Sequence, residues 1–230
     1  DGIRDDLVTG VQTCALPILD RKQPEFTLTF QQYMNRVVPR SRVEKGRKKL
    51  AENKALLTEV SQKFGVPPQF LVAFWGIETD FGRVTGGFKV IDALATLAYD
   101  GRRSKFFRRE LHLALQIIDG GHIKSDVMVG SWAGAMGQPQ FMPSSFVGYA
   151  VDYDKDGRKD IWKTRADVFA SAANYLSRYG WRAGERWGRR VQVPEGFDPK
   201  RADLKVRKTV TGWAAEGVTR ADGKIGRAHV

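Results

Sequence analysis

The stretch from Val66-Pro67-Pro68 to about Gly82 most constrains the fold. Its residues Phe70, Leu71, Phe74, Trp75 and Ile77 are spaced as a helix that is apolar on most sides. Such a helix cannot lie on a surface and has to be buried. Proline is favoured in a helix's first turn, so Pro67-Pro68 marks the start, and the helix ends near Gly82. The remaining chain supplies helical partners. Residues 26–38 read as a helix stopped by Pro39, and 41–64 as a second, with Leu50, Leu56, Leu57 and Val60 as its stripe and Gly65 at the stop position. Helices are expected over 90–99 and 104–118, the latter with Phe107, Leu111, Leu115 and Ile118 on one face, then from Pro143 to about Val151 and over 167–179. Residues 119–142 are glycine-rich and irregular. Short strand-like pieces, Arg190 to Val193 and Leu204 to Val206, come only after Trp181. The expected class is mainly α, with a small strand-containing C-terminal part.

Composition closes off several alternatives. At 42% hydrophobic and 28% charged, the 230-residue chain is neither disordered nor collagen-like. No run approaches ~18 apolar residues, so no spanning helix is expected. A single cysteine forms no internal disulfide, and three histidines do not make a zinc site. The net charge of +12 calls for an anionic partner: nucleic acid, a membrane surface or an acidic polysaccharide.

Both ends look foreign to this pattern. Val8 to Ile18 resembles the translation of a sequencing-adapter oligonucleotide, and Ile225 to Val230 that of the reverse complement of part of it. Residues 1–18 and 224–230 are therefore set aside as adapter-derived scars. Cys14 and His229 go with them, while the charge is unchanged: Arg4, Lys224 and Arg227 balance Asp1, Asp5 and Asp6. The expected domain is 19–223, truncated at both ends.

Chemistry enters with Glu78. Acidic residues are rarely buried unless paired or functional, and this one ends the most apolar helix in the chain. An apolar wall disfavours the carboxylate, so the proton is held more tightly. That suits a general acid protonating a glycosidic oxygen. The alternative is a helix-end glutamate bonded to a loop or paired with Arg83. Asp80 lies two residues on, and positions i and i+2 of a helix do not face each other. It reads as a solvent or capping group rather than the second carboxyl that ordinary glycosidases use.

The motif Gly76-Ile77-Glu78-Thr79-Asp80-Phe81-Gly82 resembles the catalytic motif of lytic murein transglycosylases of the membrane-bound B type. Ile91 to Ala98, Gly134 to Ser145, and Ala173-Asn174-Tyr175-Leu176 before Gly180-Trp181 extend the resemblance over about 20–217. It implies a lysozyme-like fold that cleaves the MurNAc–GlcNAc β-1,4 bond of peptidoglycan strands without water. Glu78 takes the place of the family's single glutamate. The resemblance also implies that Ser131 and Gln140 hydrogen-bond the glycan, and that Tyr175 lies close to the catalytic carboxyl; the alternative for Tyr175 is helix packing. Arg102-Arg103 matches an arginine pair that meets lactyl or peptide carboxylates, and Lys105, Arg108 and Arg109 extend that field. The implied setting is periplasmic, for a monomer whose parent is open to outer-membrane association as a lipoprotein.

Asp152-Tyr153-Asp154-Lys155-Asp156-Gly157-Arg158-Lys159-Asp160 opens like an EF-hand loop, with acids at positions 1, 3 and 5 and glycine at 6. Position 9 is Asp160, and position 12 would be Lys163, which cannot ligate. The family resemblance adds a lengthened calcium loop closed by an aspartate, here Asp167 at position 16. One structural calcium ion is expected on Asp152, Asp154, Asp156, the Arg158 carbonyl, Asp160 and Asp167, with no organic cofactor; the rival is a solvated acidic turn. Two other functional classes compete with the enzyme. One is a non-catalytic peptidoglycan-binding or scaffolding protein on the same fold, against which an intact Glu78 speaks. The other is a nucleic-acid binder, set aside because the bases are interspersed with acids and no recognition motif appears.

Overall fold

The computed structural model describes residues 15–21, 28–185, 188, 190–203, 205–220 and 222. The chain divides into two compact units, one ending at Trp181 and one beginning at Arg182, where the sequence reading has a single domain. No helix among the described residues is long and apolar enough to cross a membrane.

The first unit is helical. α1 (Ala15–Arg21) and α2 (Phe30–Val37) are followed by α3 (Arg40–Glu52) and α4 (Lys54–Phe64). α2 starts later than 26 because Thr29 closes a capping box: its hydroxyl accepts from the Gln32 amide, and the Gln32 side chain accepts from the Thr29 amide at 2.9 Å. The long helix expected over 41–64 is broken at Asn53, which leaves helical geometry and turns its side chain back to the Lys49 carbonyl at 2.8 Å. Asparagine competes with the helix in this way because its short amide reaches nearby backbone. Gly65 then ends α4 in the left-handed conformation, as expected.

α5 (Pro68–Thr79) is the apolar helix, and it sits between two core clusters. On one side Leu71 and Trp75 pack with Leu57 and Val60 of α4 and with Phe169 and Ala173 of α9 (Arg165–Arg178). The other cluster joins Leu94 and Leu97 of α6 (Val90–Tyr99), Phe107 and Ile117 of α7 (Ser104–Asp119), and Phe146 of α8 (Pro143–Tyr149). Phe74 packs against both. Full burial of each such side chain contributes roughly 1.5–3 kcal/mol. The expected burial of this helix is met on the side that carries Leu71, Val72 and Trp75, but Ile77 is 49% exposed, because the helix packs on neighbours along only part of its circumference.

Between α5 and α6 lies β1 (Phe88–Lys89), paired antiparallel with β2 (Val129–Gly130), and single bridges from Gly130 to Met136 and from Met136 to Phe141 extend the layer. Strands of two residues show no alternation, so this pairing was invisible in the sequence. α1 crosses the boundary drawn at residue 18: Leu16, on the excluded side, is 2% exposed and belongs to the second cluster. Residues 1–14 and 224–230, Cys14 and His229 among them, lie outside the described ones.

In the second unit β3 (Val191–Gln192) pairs antiparallel with β4 (Thr219–Arg220), and α10 (Val210–Ala215) precedes the latter strand. The strand-like piece Leu204 to Val206 is instead a turn. Val206 donates to the Asp203 carbonyl at 2.9 Å and the Asp203 carboxylate accepts from the Lys205 amide at 2.8 Å, while Leu204 itself lies outside the described residues. Aspartate bonding to backbone two residues on favours such turns.

Candidate active site and acidic loop

The end of α5 is built by an abrupt reversal. Asp80, Phe81 and Gly82 have φ values of 49°, 62° and 79° in succession. The reversal returns the Phe81 ring onto Trp75, edge to face at 5.5 Å, and against Gly76, where a Cβ would lie 2.7 Å from the ring. At Gly82 a Cβ would overlap the Gln138 side chain. Gln138 is the staple of this region. Its Oε1 accepts from Trp75 Nε1 at 2.7 Å, its Nε2 donates to the Trp162 carbonyl at 2.7 Å, and its own carbonyl accepts from Thr79 Oγ1 at 2.9 Å. The sequence reading quoted Gln138 inside a motif without giving it a role. A glutamine between two apolar elements was the available signal, since a buried amide needs partners.

Glu78 lies one turn beyond Phe74 on the same face of α5, and residues four apart on a helix are neighbours. The Phe74 ring meets Tyr175 of α9 at 6.4 Å, and Tyr175 also meets Phe141 at 5.3 Å, Tyr149 at 5.2 Å and Tyr179 at 4.5 Å. The Glu78 side chain reaches solvent. Its carboxyl has no hydrogen-bond or ion-pair partner among the described residues, and crowding by protein atoms raises its pKa above the ordinary glutamate value. Arg83 does not pair with it. That guanidinium bonds Asp80 at 2.6 Å, and Lys45 joins from the other side at 3.0 Å. These two cations hold the Asp80 carboxyl below its usual range, Arg83 contributing most. Asp80 is thus the helix cap and ion-pair residue of the region.

Ser131 and Gln140 flank the segment that follows α5. Ser131 Oγ accepts from the Ala135 amide at 3.0 Å, closing a tight turn, and the backbone at Ser131 comes so near Gly86 that no Cβ fits there. Gln140, in a left-handed conformation, donates from Nε2 to the carbonyls of Thr85 at 3.1 Å and Gly137 at 2.9 Å. Ser131 and Gln140 therefore lie against the segment that follows α5, at Gly86 and Thr85, and Tyr175 packs on Phe74 of α5 itself. Arg102 and Arg103 are engaged elsewhere: both ion-pair with Asp20 of α1, a residue only 2% exposed, which the sequence reading passed over. They still line an open depression of about 580 Å³ with Lys105, Phe106 and Arg109.

The acidic loop brings together some of its expected ligands. Oxygens of Asp152, Asp154 and Asp156 lie within 4.8 Å of one another. Gly157 at φ 91° makes the turn, and its amide donates to Asp152 at 2.9 Å. The Arg158 amide and guanidinium both bond Asp156, which lowers that carboxyl's pKa. Asp160 accepts from the amides of Trp162 and Lys163, each at 2.9 Å. Asp167 is fully buried, and its two oxygens accept from the amides of Tyr153 and Asp160, each at 2.7 Å. Burial raises its pKa, against the opposing pull of those amides. Three carboxylates thus converge, while Asp160 and Asp167 tie the loop to α9. An all-oxygen cluster beside a sharp glycine turn fits a hard cation such as calcium.

Residues 10–229 match the family model of the transglycosylase SLT domain, SLT_2. The membrane-bound lytic murein transglycosylase B of Escherichia coli K12 is 37% identical over 169 residues, 71% of this chain and 45% of that protein. Pseudomonas aeruginosa SltB3, solved in complex with NAG-NAM-pentapeptide, is 42% identical, with a TM-score of 0.88 over 93% of this chain and 57% of that one. Escherichia coli Slt35 in complex with calcium is 31% identical, with a TM-score of 0.77 over 90% of this chain and 65% of that one. The chain thus spans about half the length of the curated relative.

Proposed function

Because the chain belongs to the transglycosylase SLT-domain family, we propose that it is a lytic transglycosylase of peptidoglycan with Glu78 as its single general acid and base. One observation carries the reading. Glu78 has a solvent-reaching carboxyl with a raised pKa and no partner among the described residues, while the next carboxyl along the chain, Asp80, is held by two cations. A protonated Glu78 gives its proton to the glycosidic oxygen as the bond to the MurNAc anomeric carbon breaks. The resulting carboxylate then takes the proton of the MurNAc C6 hydroxyl, whose oxygen bonds to that carbon. The product is a 1,6-anhydro end, no water is consumed, and Glu78 is again protonated. An intramolecular nucleophile has a high effective molarity, so no activated water is needed. Ser131, Gln140 and Tyr175 would orient the glycan on this face, and Arg102 and Arg103 would meet its carboxylates from the depression they line. The substrate places the activity in the periplasm.

The relative solved with calcium and the converging carboxylates together support a calcium ion at Asp152, Asp154 and Asp156, with Asp160, Asp167 and the Arg158 carbonyl completing the set. Its role there is structural: it neutralises the loop and fixes it to α9.

Mass spectrometry of digested sacculi tests the reaction. Anhydro-ended muropeptides are expected. Products heavier by one water would make the protein a hydrolase, and binding without products would make it a scaffold.

A further inference from the structure

α7 carries its buried stripe on Phe107, Glu110, Ala114 and Ile117. Three of these are apolar, and the fourth is a glutamate with no exposed surface at all. A carboxyl is costly to bury without partners, so its placement calls for a reason. Its Oε2 accepts from the Ser144 amide at 2.8 Å, and its Oε1 has no partner among the described residues. Ser144 is the second residue of α8, whose first turn has amides without helical acceptors. Pro143 has no amide, and Phe146 already donates to the Met142 carbonyl at 2.9 Å. Glu110 therefore supplies, from a neighbouring helix, a cap that the residue before α8 lacks: Met142 has no capping side chain.

What this cap holds lies immediately upstream. Phe141 exchanges backbone bonds with Met136 at 2.8 and 3.0 Å, its ring packs on Tyr175, and Gln140 bonds Thr85 in the segment after α5. Two residues separate the capped amide from that set.

We propose that Glu110 is a positioning residue. It clamps the start of α8 and thereby fixes Gln140 and Phe141 against the elements that carry Glu78. The consequence for turnover rests on the transglycosylase reading; the clamp itself does not. Glu110→Gln keeps an acceptor in place. Glu110→Asp retracts it by one methylene, and Glu110→Met removes it at similar volume.

Amide hydrogen exchange on the full chain reads the clamp. In the Asp and Met variants the Ser144, Phe141 and Met136 amides should exchange at least about tenfold faster, the equivalent of one lost hydrogen bond. The Gln variant should stay within about threefold. On sacculi the same two variants should lose kcat about tenfold with KM nearly unchanged, and Gln should restore it. The milder Asp variant serves where Met does not fold. If folded Glu110→Asp leaves exchange at Phe141 and Met136 unchanged, or accelerates all core amides alike, the clamp is refuted. If the unmodified chain and Glu78→Gln are equally inactive, the function reading fails instead, and exchange still decides the clamp.

Discussion

Glu78 and Asp167 are both carboxyls whose pKa burial raises, yet they serve opposite purposes. Asp167 is fully buried and spends both oxygens on backbone amides of the acidic loop. Glu78 reaches solvent and has no partner among the described residues. Burial by itself therefore does not mark a reacting group, since structural carboxyls are perturbed too. The distinction lies in what the oxygens bond. A carboxylate held by two backbone amides is fixed in place and serves the loop, whereas an unpaired one in a crowded, wet position can give up and retake a proton.

The sharpest way to break this comparison is to neutralise each side in turn. Glu78→Gln is nearly isosteric and cannot transfer a proton, so cleavage of sacculi should fall at least ~10²–10⁴-fold with folding intact. Near-full activity would show that the unpaired carboxyl is idle. Asp167→Ala should act on stability instead. It strands two half-buried amides, each costing at most ~1–3 kcal/mol, so urea melts should show a loss of roughly 1–4 kcal/mol. A neutral result there would mean that the loop finds other acceptors.

Glu78 stands out as a candidate because a carboxyl at the end of a mostly apolar helix is improbable on composition alone. The helices from α5 to α9 were legible for a related reason: their periodicity is long, and Gly65, Pro68 and Pro143 punctuate it. Asn53 was not read as a break, because a side chain turning back on its own helix leaves no trace in periodicity. Nor was Asp20 assigned to Arg102 and Arg103, or Glu110 to Ser144. Those pairs span 82, 83 and 34 positions, and a single sequence does not encode which distant partner satisfies a charge. Gln138 and Gln140 stood inside the motif Gly134 to Ser145 and Ser131 shortly before it, yet the structure shows Gln138 bonding two separate segments, α5 and the stretch at Trp162, while Ser131 closes a local turn.

Calcium sharpens the structural side of the comparison. Asp152, Asp154 and Asp156 repel one another when no cation lies among them. A cation that binds only the folded chain stabilises it by about 2.7 kcal/mol at a hundred times Kd. Calcium should therefore raise Tm and EDTA lower it, and Asp156→Ala should lose most of that response while Glu78→Gln keeps it. Melting indifferent to calcium after verified stripping would leave the loop as an acidic turn held by its own hydrogen bonds, those of Asp160 and Asp167 among them.

The smallest expected effect concerns the cost of keeping Glu78 unpaired. Crowding raises its folded pKa above the value in the unfolded chain, and nothing nearby favours the anion. Between those two values the native state binds more protons than the unfolded one, so stability falls as pH rises. The contribution is fully present below the ordinary glutamate value, ~4.3, and is lost as pH passes the raised one. Glu78→Gln removes the titration. The variant should therefore melt slightly higher than its parent at neutral pH, by less than the ~2–4 °C that 1 kcal/mol moves a chain of this size, because solvent still screens the side chain. Below about pH 4 the two melting curves should converge. Parallel melts from pH 3 to pH 8 measure the difference. A variant less stable than its parent at neutral pH would reveal a partner for the carboxylate, and Glu78 would then belong with Asp167 among the structural carboxyls.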